Sequence, residues 1–471
     1  MKKKVIKTTC ILLVISALSK LLSFLIRIFI ARILNSEAIQ YYSLTTPVLG
    51  FLMTLSQFGI PSALTQMIAS RKKAQDTIAA AIVLSLINNF LLIVLCILGI
   101  PLYARIVLHQ SVLIPVLYAC VPLLPMVMLS GLCKGYLIGR QNMILASSSQ
   151  ITEEIVRLLF LWFFSSFFSS NPVLMASFAI LSQTAGEIGS CIHLGFALIL
   201  KQRKRIHIPL HALHTDTIKE LLNLSIPMTS ARLIGSLTAF LEPVILLRIV
   251  VDTQKDSYLE IFSHMNTYIL PLITLPGFFS LVISSWLLPA FSQTFNTNMK
   301  KARQLFLASL SFSLIAGCSI CGFLFFFAQP VCTLLYHKTD MVYLLKMLAL
   351  PFSLYAAQPV LGSVLHGANQ STRAMIDTMC GCCIRLVSLA VMVQNSFAYA
   401  APVALILSVS VTTLLHLQAC SALFVTHKYS VFCPHRNKDR FWAFVQSMAL
   451  FNQPFFIIAT CYYMFFLNDS I

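Results

Sequence analysis

The sequence predicts an all-α membrane protein that crosses the bilayer many times. Of its 471 residues, 58% are hydrophobic and 10% are charged, and the mean hydropathy is +0.85. A soluble domain carries about 25% charged residues. The apolar stretches are long enough for helices, which each need about 20 residues to cross a membrane, and they lack the alternation of a β-barrel strand. We therefore expect a helical bundle in lipid.

About thirteen apolar stretches predict the membrane spans. The first six lie at about 8–34, 42–70, 78–104, 111–138, 146–168 and 173–200. The next six lie at about 218–250, 258–292, 304–328, 340–366, 372–394 and 399–426. The last span lies at about 441–466.

An internal repeat divides these spans into two lobes. Gly139 precedes Arg157 by 18 residues, and Gly367 precedes Arg385 by 18 residues. We predict an N-terminal six-helix lobe (1–200), a cytoplasmic inter-lobe loop (201–217), a C-terminal six-helix lobe (218–430) and an extra transmembrane helix (441–466). Two parallel lobes of this kind place a substrate site between them.

Basic residues set the expected orientation. Lys and Arg cluster in alternate loops, at 2–4, 71–73, 201–205, 300–303 and 436–440, which places those loops and the N-terminus in the cytoplasm. The protein is expected to be a multi-pass protein of the cell membrane. A net charge of +18 could also indicate a nucleic-acid partner. Its confinement to short loops argues against one.

Polar residues on the first span of each lobe form the candidate binding site. Lys20, Ser23 and Arg27 are three and four residues apart and share a helix face. Thr229 and Arg232 form a similar group in the second lobe. Two facing cationic stripes would line a cavity for an anion, because guanidinium groups match phosphate geometry. Interhelical hydrogen bonding with snorkelling is the alternative.

Five further charged residues are candidates for coupling or gating, because charge in hydrocarbon is costly. They are Glu153, Glu154, Arg157, Glu242 and Arg385. Structural pairing is an equally good account of Glu153 and Arg157, which are four residues apart on one helix.

Neither a metal site nor a cofactor is expected. Cys380, Cys382 and Cys383 lie too close together on one helix to converge on a tetrahedral ion. The sequence lacks a phosphate-binding loop, a dinucleotide fingerprint, a nucleophile elbow and an H-E-x-x-H motif. These observations disfavour an ATP-driven pump and a hydrolase, and we expect a protein that is not an enzyme.

Three stretches resemble a known family. They are SKLLSFLIR at 19–27, GIPSAL at 59–64 and QITEEIVR at 150–157. They resemble the stage V sporulation protein B group, in the polysaccharide-transporter branch of the superfamily that also holds multidrug extrusion proteins and lipid II flippases. The resemblance implies flipping of an undecaprenyl-pyrophosphate-linked saccharide, in this group a peptidoglycan precursor for the spore cortex. It also implies a cavity role for Arg27 and, more weakly, roles for Glu154 and Arg157.

Alternative functions stay open at this point. A multidrug exporter of the same fold would favour an apolar or acidic cavity, which the cationic stripes oppose. A membrane glycosyltransferase or polymerase would need a long catalytic loop on the outer side, where the loops are short. A non-transporting scaffold would bind cell-wall synthesis enzymes. The expected partners of a flippase are the anionic lipid-linked saccharide and the bilayer.

Overall fold

The computed structural model describes residues 2–70, 74–165, 171–201, 215–250, 255–295 and 297–430. In the first half, residues 2–201, the α-helices are α1 Lys2–Ile33, α2 Ser36–Gln57, α3 Ile60–Ala69, α4 Ala74–Leu102, α5 Ile114–Tyr118, α6 Leu123–Gly139, α7 Met143–Phe164 and α8 Pro172–Lys201. In the second half, from residue 215, they are α9 Thr215–Ile249, α10 Lys255–His264, α11 Leu270–Ile273, α12 Leu275–Phe295, α13 Met299–Phe326, α14 Ala328–Tyr336, α15 Val342–Phe352, α16 Gln358–Gly367, α17 Ser371–Gln394 and α18 Ala400–Ser430. The packing described below is that of residues 2–417, since residues 418–430 belong to a separate unit.

The outer surface of the bundle is apolar. Phe90, Leu95 and Leu98 on α4 are each about two-thirds exposed, which suits side chains in contact with lipid. Within the described ranges, nine helical stretches are long and apolar enough to cross a membrane, or ten if Thr215–Ser230 and Arg232–Ile249 form one bent span. The protein is therefore a multi-pass helical membrane protein.

The predicted count of thirteen spans is not confirmed. Helix α7 matches the predicted fifth span but is absent from the nine candidates, and it carries three charged residues. Helix α8 matches the sixth and is also absent. The last predicted span, at 441–466, lies outside the described residues.

The helices run between two ends of the bundle, named here by one residue in each. The Arg32 end holds the breaks at 34–35, 108–110 and 337–341. The Arg140 end holds the breaks at 140–142, 297–298 and 368–370.

The two halves meet more extensively at the Arg32 end. One continuous apolar core there contains side chains of both halves, such as Ile30 and Phe262, both almost fully buried. The Ser43 hydroxyl donates to Ser263 Oγ at 3.0 Å across the same junction. A second core, near the Arg140 end, is built almost wholly from the first half, with Leu221 as the fully buried member from the second. The Arg32 end is thus the closed end.

The sequence repeat has a matching backbone conformation. Gln141 and Asn369 are both left-handed, with φ of 62° and 59°, and lie 228 residues apart (369 − 141). The N–H of Gln141 donates to the carbonyl of Ile138 at 2.8 Å, and that of Asn369 to the carbonyl of His366 at 3.1 Å. Helix α1 packs on α7, and α9 packs on α17 in the same way. The predicted boundaries of the lobes stay a prediction.

Candidate substrate cavity and charged clusters

A break between α2 and α3 forms one wall of the candidate cavity. Phe58 and Gly59 are both left-handed, with φ of 43° and 65°, and Pro61 lies in the first turn of α3. Glycine adopts this conformation at little cost, and proline fits a helix start, where its missing N–H is not needed. Helix α9 lies directly against the break, because a Cβ at Gly59 would lie 2.2 Å from Thr229 Oγ1. Only a residue without a side chain fits there.

The cavity between this break and α9 has a volume of about 260 Å³. Its polar lining comes from Thr54, Gln57 and Ser62 on one side and from Thr229 and Arg232 on the other. Among the described residues that line it, Arg232 is the one charged side chain. The N-terminus of α3, which carries partial positive charge, begins at the same wall. The Arg232 guanidinium, together with hydroxyl and amide donors, can bind a phosphate or carboxylate group of a ligand.

The structure places two predicted residues in this cavity and adds three. Thr229 and Arg232 line it, as their common helix face suggested. Thr54, Gln57 and Ser62 were missed by the sequence analysis. The sequence Gly59-Ile60-Pro61 is the feature that could have indicated them, because glycine followed by proline marks a helix break.

The three predicted residues of α1 lie elsewhere. Lys20 Nζ is 5.9 Å from the centre of the Phe278 ring, and Ser23 lies near Glu154. Arg27 lies near Tyr336, which α14 contributes: burial raises the pKa of this phenol, and the positive charge of Arg27 acts in the opposite direction.

Lys20, Ser23 and Arg27 are not among the described residues that line this cavity, and the prediction of two facing stripes stays a prediction. Helix α1 contacts α7, α12 and α14, whereas α9 contacts α2, α3 and α17. The proposed roles of Lys20, Ser23 and Arg27 stay predictions.

A shared charge network lies inside the first half. Lys134 Nζ lies 3.2 Å from Glu153 Oε2 and 3.9 Å from Glu187 Oε2. Arg157 Nη1 lies 3.7 Å from Oε2 of Glu154, which is three residues earlier on the same helix. Three carboxylates on α7 and α8 thus share two cations. Pairing of Glu153 with Arg157 was one of the two alternatives left open by the sequence. In the structure, Glu153 pairs with Lys134 on α6 and Arg157 pairs with Glu154. Such a cluster could exchange partners or a proton.

A closed ion pair occupies the matching place in the second half. Arg385 on α17 contacts Glu242 on α9 through two of its nitrogens, with Nη2 2.9 Å from Oε2. The Glu242 side chain is 2% exposed. Arg373 and Asp377 form a further pair at 3.0 Å. Glu242 and Arg385 appeared isolated in the sequence, and the structure shows that they are partners.

Metal ligands do not converge in the part of the chain that the structure describes. It contains no group of three or more His, Cys, Asp or Glu side chains placed to hold an ion. Cys380, Cys382 and Cys383 are free thiols on α17.

This fold, with a cavity between its halves, places the chain in a class of multi-pass membrane transport folds. The structure is similar to that of a multidrug resistance MATE family transporter of the MOP superfamily in an inward-facing conformation, with a TM-score of 0.67 and 14% identity, over 88% of this chain and 98% of that chain. It is also similar to the lipid II flippase MurJ in an inward closed conformation, with a TM-score of 0.66 and 12% identity, over 95% of this chain and 99% of that chain. At these identities the likeness establishes the fold.

The family follows from the sequence itself. The family model described as polysaccharide biosynthesis protein matches residues 5–295, and the chain belongs to this family. It is 26% identical over 406 residues to stage V sporulation protein B of Bacillus subtilis (strain 168), covering 82% of this chain and 77% of that protein. Sporulation protein YkvU of the same organism is 19% identical over 355 residues, covering 73% of this chain and 78% of that protein. The predicted resemblance is confirmed, as is the expectation that the chain is not an enzyme.

Proposed function

We propose that this protein moves an anionic lipid-linked saccharide from the cytoplasmic to the outer leaflet of the cell membrane. The observation that carries the proposal is the Arg232 cavity, where one cation stands with Thr54, Gln57 and Ser62 and no acidic side chain among the described lining residues. A pyrophosphate group requires donors of this kind. Membership of the polysaccharide biosynthesis protein family supports a saccharide cargo.

The proposed cargo is an undecaprenyl-pyrophosphate-linked peptidoglycan precursor for the spore cortex. The likeness to stage V sporulation protein B supports the link to sporulation, and the fold shared with a lipid II flippase supports a lipid-linked cargo. In the proposed orientation the Arg140 end faces the cytoplasm, because the described basic residues Arg140, Lys300 and Lys301 lie at that end. The closed Arg32 end then faces outwards, and the cargo enters from the cytoplasmic side.

Alternating access of the two halves is the proposed mechanism. The saccharide head group binds at Arg232 while the lipid tail stays in the bilayer. Lys20 and Arg27, about 10 Å apart along α1, offer further cationic contacts on the way to the outer side. Glu153, Glu154 and Arg157 in the first half are the proposed coupling groups, and the Glu242–Arg385 pair is the proposed gating joint.

The test is a leaflet-exposure assay on purified protein in vesicles that contain lipid-linked peptidoglycan precursor. We expect the wild type to expose precursor in the opposite leaflet and Arg232→Gln to slow this about tenfold or more, because a hydrogen bond to a charged group is worth about 1.5–3 kcal/mol. Arg27→Ala is expected to slow it as well. Arg303→Gln, at an exposed arginine on α13, is the matched control and should transport normally.

Two results would overturn the proposal. If the wild-type vesicles expose no more precursor than empty vesicles, the cargo is wrong. If Arg232→Gln transports as fast as the control, the cavity is not the binding site. In the same vesicles, transport of an organic cation by the wild type would favour a multidrug exporter. Normal cell-wall assembly in cells that carry Arg232→Gln and Arg27→Ala would favour a scaffold.

A further inference from the structure

Two arginines at the Arg32 end cross between the halves in opposite directions. Arg32, near the end of α1, donates from Nε to the carbonyl of Leu335 and from Nη2 to the carbonyl of Leu334, both at 2.6 Å. Arg248, near the end of α9, donates from Nη2 to the carbonyl of Ile106, also at 2.6 Å. The first half thus holds the second through Arg32, and the second holds the first through Arg248.

The donors occupy equivalent positions. Arg32 is one residue before the end of α1, and Arg248 is one residue before the end of α9. Both helices are the first of their half and both run towards the Arg32 end. The guanidinium group supplies several donors in a rigid fork, which is how Arg32 reaches two successive carbonyls.

The acceptors are equivalent as well. Ile106 and Leu334 lie 228 residues apart (334 − 106), the same separation as the repeated turns at the other end. Each lies three residues before a left-handed histidine, His109 with φ of 53° and His337 with φ of 55°. Both carbonyls lie in the last turn of a helical segment. Carbonyls there lack intrahelical partners and carry partial negative charge, which a cation stabilises.

We propose that Arg32 and Arg248 are a reciprocal pair of latches that keep the Arg32 end closed, and that both must release before the halves part at that end. Both arginine residues are exposed, so water can replace each carbonyl as a partner. The contacts are therefore strong enough to favour the closed state and weak enough to reverse. The buried core beneath them, with the Ser43–Ser263 contact, provides the seal that the latches hold together.

The experiment measures opening without any cargo, so its result is independent of the proposed transport activity. The reporter is Ser263→Cys in the full-length protein, because Ser263 is 1% exposed and meets Ser43 of the other half. A water-soluble maleimide modifies a thiol at this position only when the halves part. Mass spectrometry assigns each modified residue, so native Cys321, fully buried on α13, serves as an internal reference for unfolding.

In this background, Arg32→Gln together with Arg248→Gln should increase the labelling rate at position 263 about tenfold, a shift of about 1.4 kcal/mol. Each single variant should give a smaller increase, and Arg32→Lys should lie between Arg32→Gln and wild type, because lysine lacks the fork. Arg303→Gln should label as the parent does. Equal labelling in the double variant and the parent would overturn the proposal. A matching rise at Cys321 would do the same, since it would show general loosening.

Discussion

Arg157 and Arg385 occupy the same place in the two halves, 228 residues apart, yet their surroundings differ. Arg157 lies 3.7 Å from Glu154 on its own helix, beside further carboxylates that share Lys134. Arg385 instead holds Glu242 of a neighbouring helix through two contacts. In the first half, Lys134 therefore has two carboxylate partners within 4 Å. In the second half, Arg385 and Glu242 pair with each other. The repeated scaffold therefore accommodates both a shared charge network and a single closed ion pair.

The largest expected effect comes from breaking the Glu242–Arg385 ion pair. Glu242→Gln leaves Arg385, whose side chain is 18% exposed, without its countercharge. Removal of one partner from a buried pair costs about 3–5 kcal/mol, and we expect the lower end of that range here. We expect a large fall in the melting temperature of the purified protein. Glu187→Gln in the first half should cost only about 1 kcal/mol, because Lys134 keeps Glu153 at 3.2 Å.

The matched control is Glu260→Gln, which changes an exposed carboxylate on α10 and should leave the melting temperature unchanged. Changing Glu242 and Arg385 together, to Gln and Met, should restore part of the loss, because no unpaired charge remains. Equal melting temperatures for Glu242→Gln and Glu187→Gln would show that the two halves do not differ in the way described.

A second contrast lies at the helix breaks. Ile60-Pro61 begins α3, and Leu275-Pro276 begins α12. The residue before each pair is Gly59, with φ of 65°, in the first half and Thr274, with φ of −84°, in the second. The first half therefore has a left-handed break where the second has an ordinary turn.

Gly59→Ala should destabilise the protein by about 2–4 kcal/mol, from left-handed strain and from overpacking. The added Cβ would lie 2.2 Å from Thr229 Oγ1 and 2.7 Å from the backbone oxygen of Ser225. Thermal unfolding measures the loss. Gly50→Ala is the control, because Gly50 lines the same cavity and a Cβ added there would meet open space beyond its own helix. If Gly59→Ala unfolds at the wild-type temperature, the packing of α9 against the break does not require a glycine at position 59.

The sequence predicted most of the helices because apolar length and basic loops are local properties. It also placed Thr229 and Arg232 on one face through helical spacing. It placed one span over 42–70, and the structure has one candidate span at Ser36–Ala69, which the left-handed residues Phe58 and Gly59 divide into α2 and α3. The partnership of Glu242 with Arg385, 143 residues away, has no periodic signature. Nor do the contacts of Arg32 and Arg248, whose acceptors are backbone carbonyls that every residue carries.

The smallest expected effect concerns the repeated turn at the Arg140 end. Gln141 and Asn369 share a left-handed backbone, but asparagine visits that region more readily than glutamine, because its short side chain bonds locally. Gln141→Asn should therefore raise the stability by about 0.5 kcal/mol, and Asn369→Gln should lower it by a similar amount, a fraction of the 1–2 kcal/mol that left-handed strain costs. Precise thermal unfolding of the two single variants and of the double swap measures both changes, which should cancel in the swap. A loss of stability in Gln141→Asn would mean that the glutamine side chain stabilises the first turn through contacts of its own. The two turns would then share a backbone conformation but be stabilised by different side-chain contacts.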